Sequence, residues 1–268
     1  MGLTPLQKLA VTLRKMYLLD CADYFWFLRM YCLHYRSNKK FRNEHKTIPI
    51  PPAKIIYDIQ GDCDLYGFYA AGQIYANEIS NIITAERPKQ TLKILDWGCG
   101  PARILRHLKS SDGSSWELWG SDYNSQSIAW CQKHFSNIHF IVNGLSPPIP
   151  IEDSCFDVIY CNSVFTHLSA AHHQQWIDEI FRLLKPGGFF ISTFHGEAYR
   201  IELTGDEQRR FDSGELVIRD KTCEGKKNYT AYHCDRVVHA LLSSFSLVKK
   251  LGAFNSSRQA VWTAVKKY

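Results

Sequence analysis

The chain has 268 residues, 45% hydrophobic and 22% charged, enough to bury one full core and marginal for two. This balance excludes a disordered or collagenous chain, and the longest apolar stretch, 24–33, is interrupted by Arg29 and too short to span a bilayer. The net charge of +6 resides in the first fifty residues, where Lys and Arg outnumber Asp and Glu nine to three; the rest is balanced, which argues against a body built to grip nucleic acid.

Residues 5–35 predict a helix, with Leu9, Leu13, Tyr17, Leu18, Phe25, Phe27 and Leu28 as its apolar side chains, followed by a basic cluster from Arg36 to Arg42. Such an arm suits an anionic membrane surface or an acidic partner; the simpler expectation is a helix docked on its own domain. Pro49, Pro51 and Pro52 close it, so the chain divides into an arm over 1–52 and a domain over 53–268. A helix is expected over 67–84. Strands then follow at 92–96, 116–121, 138–142, 156–161 and 188–194, with helices at 102–110, 124–135 and 169–184. Short apolar runs separated by helices describe an α/β fold with a doubly wound, mostly parallel sheet. The last two runs, 246–254 and 258–266, are spaced as a C-terminal antiparallel hairpin. Residues 196–236 are too long for a plain crossover and mix charges with aromatics, so they are expected to form a substrate-side insertion that covers the acceptor side together with residues 53–72.

The nine cysteines are irregularly scattered with no Cys-x-x-Cys pair, and no apolar leader is visible. A reducing, cytoplasmic setting is the expectation, with the thiols packed as small core residues. Cys223 with His233 and Cys234 lacks the paired spacing of structural zinc, so no metal is expected.

The sharpest local feature is the stretch 94–103, ILDWGCGPAR, where a strand ends in Asp96 and turns through Gly98 and Gly100. Glycines there let a ligand lie against the backbone. A dinucleotide fingerprint would need a third glycine at 103, where this chain has Arg103, so NAD and FAD are disfavoured.

With its acidic residue followed by Gly-x-Gly (Asp96, Gly98, Cys99, Gly100), the sequence resembles the class I S-adenosylmethionine (SAM)-dependent methyltransferases. Four further stations appear in order: Asp122-Tyr123 after the second strand, Asn143-Gly144-Leu145 after the third, Ser163-Val164 and His167 after the fourth, and Leu183 to Gly188 before the fifth. The resemblance covers about residues 60–268. It implies a seven-stranded Rossmann-like methyltransferase fold with SAM as cofactor and S-adenosylhomocysteine as product. It also implies that Asp122 accepts from the ribose hydroxyls, that Asn143 lies near the adenine, and that Ser163 and Val164 run along the cofactor. Arg103 is expected to hold the methionine carboxylate or to pair locally, and Gly72 to belong to a cofactor-covering helix or to close helix packing.

His167 and His195 follow strands four and five, at the sheet edge where open α/β folds bind ligands, so both are candidate general bases facing the acceptor. His172 and His173 are expected to be solvated. Tyr232 and His233 are candidate acceptor contacts. Cys161 follows Tyr160 rather than Pro, and no Asn/Asp-Pro-Pro-aromatic tetrapeptide follows the fourth strand, which disfavours nucleic-acid base methylation. The expected activity is methyl transfer to an oxygen or nitrogen of a small molecule, such as a sugar or secondary metabolite. Two alternatives stand beside it: a protein or RNA methyltransferase docking through the basic arm, and a non-catalytic SAM-binding module.

Overall fold

A computed structural model describes residues 9, 12, 13, 18–255 and 257–267. The sheet is built from β1 (Leu92–Trp97), β2 (Trp116–Asp122), β3 (His139–Val142), β4 (Phe156–Cys161), β5 (Leu184–Phe194), β8 (Ser246–Ala253) and β9 (Ala260–Val265), in the order β3-β2-β1-β4-β5-β9-β8. The first five are parallel and β9 runs antiparallel to both β5 and β8. The expected seven-stranded sheet with its terminal antiparallel pair is therefore present.

Alternation along the central strands explains the two covered faces. Leu95, Trp97, Ile159, Cys161 and Phe190 pack on one side with Trp176, Ile177 and Ile180 of α6 (Ala170–Leu183) and with Val238 and Leu241 of α8 (Asp235–Leu241). Ile94, Val158, Tyr160, Phe189 and Ile191 pack on the other with Ile79 and Ile83 of α4 (Leu65–Glu86) and with Ile128 and Cys131 of α5 (Ser125–His134). Asp64 caps α4 by accepting from the Tyr66 and Gly67 amides, and Asn124 caps α5 by accepting from those of Gln126 and Ser127.

Two expectations about elements need correction. The helix expected over 102–110 is a single 3-10 turn, Leu105–His107. Gly98, Gly100 and Ala102 all have positive φ, which no helix can propagate, and the Arg106 guanidinium takes the Pro101 carbonyl and shares that of Ala102 with the Arg106 amide. The fifth strand begins four residues early because Leu184 pairs with Phe156 before a register shift brings Phe189 beside Val158.

The arm is two helices, α1 (Leu19–Leu33) and α2 (Tyr35–Glu44), so the basic cluster is itself helical; Tyr17 and most of 5–17 lie outside the described residues. Buried Asn38 donates to the Cys63 carbonyl and accepts from the Leu65 amide. Phe41 packs with Ile56, Leu65 and Phe68, and Met30 with Tyr57 and Cys63, which joins the arm to α3 (Ala53–Gln60). The insertion holds a 3-10 helix (Glu197–Glu202), α7 (Gly205–Asp212) and a two-stranded sheet of β6 (Val217–Arg219) with β7 (Thr230–Tyr232).

Candidate active site

Adjacent parallel strands diverge at their carboxyl ends where the order reverses, between β1 and β4, and a cleft opens there. Its volume is about 190 Å³. Gly98, Gly100, Arg103, Asp122, Tyr123, Asn143, Gly144, Leu145, Ser163, Val164 and His167, all expected from the sequence, line it together. Gly98 has φ +81°, and a Cβ there would lie 2.3 Å from Val164 Cγ2, so the glycine both permits the turn and keeps the cleft floor open.

The loop is held by the next strand. The Gly98 and Cys99 amides donate to the Ser121 carbonyl, and the Gly100 amide donates to Asp122 Oδ2 at 2.8 Å. Asp122 Oδ1 accepts from the Asn124 amide at 2.8 Å. Each carboxylate oxygen still has a lone pair to offer a hydroxyl. Burial raises the Asp122 pKa, and these two amide bonds oppose the rise.

Asp96 does not line the cleft. It lies beneath the loop, 3% exposed, accepting from the Tyr160 hydroxyl at 2.8 Å, and burial pushes its pKa up to about 8. Cys99 is likewise buried. Gly72 sits on the far side of the loop, where a Cβ would come 2.3 Å from the Arg103 carbonyl oxygen: α4 packs directly against the cofactor loop.

Two of the remaining walls come from segments expected to cover the acceptor side, 53–72 and the insertion, and the tryptophan wall was not expected. Ile55, Asp58 and Ile59 of α3 cover the cleft, Trp97 and Trp176 form part of its side, and Gly225 and Lys227 reach in from the insertion. Lys227 lies 2.9 Å from Asp23 and 3.2 Å above the Tyr57 ring. The pattern of Ile55 and Ile59, four apart on a helix ended by left-handed Gly61, was the available signal for this cover.

The histidines separate. His167 lines the cleft; its Nδ1 lies 2.8 Å from the Tyr229 carbonyl, a bond in which Nδ1–H donates and Nε2 becomes the acceptor, and burial lowers its pKa. It stands at the end formed by Leu145, Tyr123 and Gly225, since its carbonyl accepts from the Gly225 amide. His195 lines neither this cleft nor the cavity beside it. β7 and its continuation cover it, with the His233 amide donating to the His195 carbonyl, and burial drives its pKa down to about 3. His233 is fully buried with Nε2 2.7 Å from His173 Nε2, and Tyr232 packs with Leu203, Phe211 and Val217. Contrary to expectation, His173 is buried and His172 is held 2.6 Å from Glu224: both face the insertion rather than solvent.

A second cavity of about 520 Å³ adjoins the first and shares Ile59, Arg103, Asn162 and Ser163 with it. Tyr75, Tyr199, Asn255, Ser257, Arg258 and Gln259 complete it. Ser163, at φ +66°, is held at the shared wall by its amide donating to Thr193 Oγ1, which donates to Gln259 Oε1; Gln259 Nε2 donates to Ser163 Oγ.

The first cleft fits SAM on its own geometry. Asn143 Oδ1 is buried without a protein partner in the lining, ready for an amino donor, and Asp122 keeps lone pairs for a diol. Arg103, its pKa lowered by burial, supplies a cation for a carboxylate.

Comparison with known proteins agrees. Residues 94–188 match a family model described as a methyltransferase domain. The chain is 27% identical over 151 residues to a sterol 24-C-methyltransferase of Schizosaccharomyces pombe, covering 50% of this chain and 39% of that protein. It is 26% identical over 101 residues to a malonyl-[acyl-carrier protein] O-methyltransferase of Enterobacter lignolyticus, covering 38% of each. These matches span less than half of either relative. A magnesium protoporphyrin IX methyltransferase from Synechocystis, solved with bound S-adenosylhomocysteine, shares the fold at TM-score 0.53 and 15% identity, over 80% of this chain and 92% of that one. With four of the five ordered stations gathered around one cleft and residues 94–188 matched across the first four strands, this part of the chain is a methyltransferase domain of the SAM-dependent kind.

Proposed function

We propose that the chain transfers a methyl group to an oxygen or nitrogen of a small polar acceptor held in the second cavity. The observation that carries this is the shared wall: Arg103, Asn162 and Ser163 belong to both the cofactor cleft and a polar cavity open beside it. When bound, SAM supplies an electrophilic methyl group on a sulfonium centre. The chain's own part is to bring an acceptor to that wall in line and to keep water out, which is where most of the rate of such a displacement arises. Asp122, Asn143 and Arg103 orient the donor half. His167 lines the cofactor cleft and not the second cavity, so its place in this reading is to hold the donor rather than to take a proton from the acceptor.

The second cavity has a particular chemistry. Among the described residues lining it are two tyrosines, two arginines and several amides and hydroxyls, and no Asp, Glu, His or Lys. An acceptor that enters already nucleophilic, a carboxylate or an unprotonated nitrogen, suits such a lining better than a sugar hydroxyl, which needs a base. Tyr199, stacked under the Arg258 guanidinium at 4.5 Å, presents the orienting surface.

The test is a methyl-transfer screen with labelled SAM against carboxylic acids, amines and alcohols, followed by Tyr199→Ala and Arg258→Ala on the best acceptor. Both variants are expected to raise the acceptor KM about tenfold, roughly 1.4 kcal/mol, with S-adenosylhomocysteine affinity unchanged. Acceptor kinetics indifferent to both changes would place the acceptor elsewhere.

A further inference from the structure

α1 is apolar on two opposite sides. Asp23, Phe27 and Met30, spaced as one helical stripe, face inward: the Tyr57 hydroxyl donates to Asp23 Oδ1 at 2.7 Å, Phe27 lies against the Tyr57 ring, and Met30 is buried beside Cys63. The next stripe, Tyr24, Leu28 and Tyr31, faces outward and continues into Tyr35 at the start of α2. Phe25, Trp26 and Leu33 flank it, with Phe25 71% and Leu33 64% exposed. Seven large apolar side chains thus stand in water on two consecutive helices whose orientation the inner stripe fixes. A patch of this kind on a folded body marks a binding surface.

The charge beside it identifies the occupant. Arg36, Lys39, Lys40, Arg42 and Lys46 are all exposed on and just after α2, against Glu44 as the one acid of that stretch. The Arg29 guanidinium sits 4.6 Å over the Trp26 ring, adding a cation within the apolar stripe itself. Aromatics grading into a basic cluster complement a bilayer whose apolar interior lies under an anionic headgroup layer. Among the described residues no helix is long and apolar enough to cross a membrane, so a helix docked here lies on the surface rather than through it.

We infer that the exposed face of α1, with the basic side chains of α2, seats this protein on an anionic lipid surface. The inference stands apart from the acceptor's identity and from catalysis. Its geometry also ties the surface to the cleft, because Asp23 on α1 holds Lys227, a residue of the cleft wall.

The experiment is flotation of the full chain with neutral phosphatidylcholine vesicles and with vesicles carrying about 30 mol% phosphatidylserine. Binding to the anionic vesicles is expected, with at least about tenfold weaker partitioning to neutral ones and loss at about 0.5 M salt. Phe25→Ser/Leu28→Ser/Leu33→Ser and Lys39→Glu/Lys40→Glu/Arg42→Glu are each expected to weaken binding by a similar factor while leaving S-adenosylhomocysteine affinity intact. As a reading free of folding effects, brominated lipid is expected to quench wild-type tryptophan fluorescence, and Trp26→Phe to remove that quenching. A chain that stays off anionic vesicles overturns the inference. So does binding that neither triple variant changes, or a dimer that the apolar variant converts to monomer while vesicles bind neither form.

Discussion

Asp96 and Asp122 end neighbouring strands, yet they have different tasks. Asp122 opens onto the cleft with both oxygens partly committed to amides, whereas Asp96 is sealed under the glycine loop against Tyr160. The folded carboxyl of Asp96 keeps its proton up to about pH 8, from a starting value of 3.8, because burial outweighs the help of Tyr160 and Arg103. Between those values the unfolded chain binds fewer protons than the folded one, so the contribution of this residue to stability is full below the lower value and is lost as pH rises through about 8. The donor-free protein is therefore expected to lose up to about 1.4 kcal/mol of unfolding free energy per pH unit to this group in that window. Asp96→Asn, which keeps an acceptor for Tyr160, should flatten the profile in urea unfolding between pH 5 and 8; parallel profiles for the two proteins would mean that the carboxyl is ionised throughout. Sequence position alone made the two aspartates look alike, since the distinction lies in which face of the loop each side chain meets.

At the scale of elements, the loop after β1 is a piece of non-helical backbone clamped between α4 and β2. Positive φ at Ala102 and the Arg106 guanidinium, which also bonds the Pro49 carbonyl and the Tyr69 hydroxyl, replace the helix that the apolar spacing of 102–110 suggested. That substitution could not be read in advance because Arg106 reaches partners 57 and 37 residues away in the chain. Gly72→Ala tests the clamp. Alanine should favour a helix by about 1 kcal/mol over glycine, but here its Cβ meets the Arg103 carbonyl oxygen at 2.3 Å, a backbone atom that cannot swing aside. The expected outcome is a lower Tm, a net destabilisation of about 1–3 kcal/mol, and weaker S-adenosylhomocysteine binding as Arg103 is displaced. A raised Tm would show that α4 and the loop are loosely apposed. β1 and β4 were legible because they are buried along almost their whole length and read as apolar runs; a cover from residues 53–72 was also expected, but only the finished fold shows Ile55, Asp58 and Ile59 to lie over the donor cleft.

Across the whole molecule, the sheet edge carries two adjoining spaces, one for a donor and one for an acceptor, and the appended segments complete them. The arm joins through Asp23 to Lys227, and the insertion contributes Gly225 and Lys227 to one space and Tyr199 to the other. The insertion also explains why two histidines that follow neighbouring strands do not meet in one crevice: β7 and its continuation close over the end of β5 and partly cover His195, while His167 stays at the cleft. Its long-range pairing left no periodic trace in the sequence. The most direct measurement of the central claim is a calorimetric titration of the purified chain with S-adenosylhomocysteine, beside Asp122→Ala. The account predicts saturable binding at a single site, weakened at least tenfold, about 1.4 kcal/mol, in the variant. A folded wild-type chain that binds neither S-adenosylhomocysteine nor SAM, or a variant that binds as tightly as wild type, would contradict it.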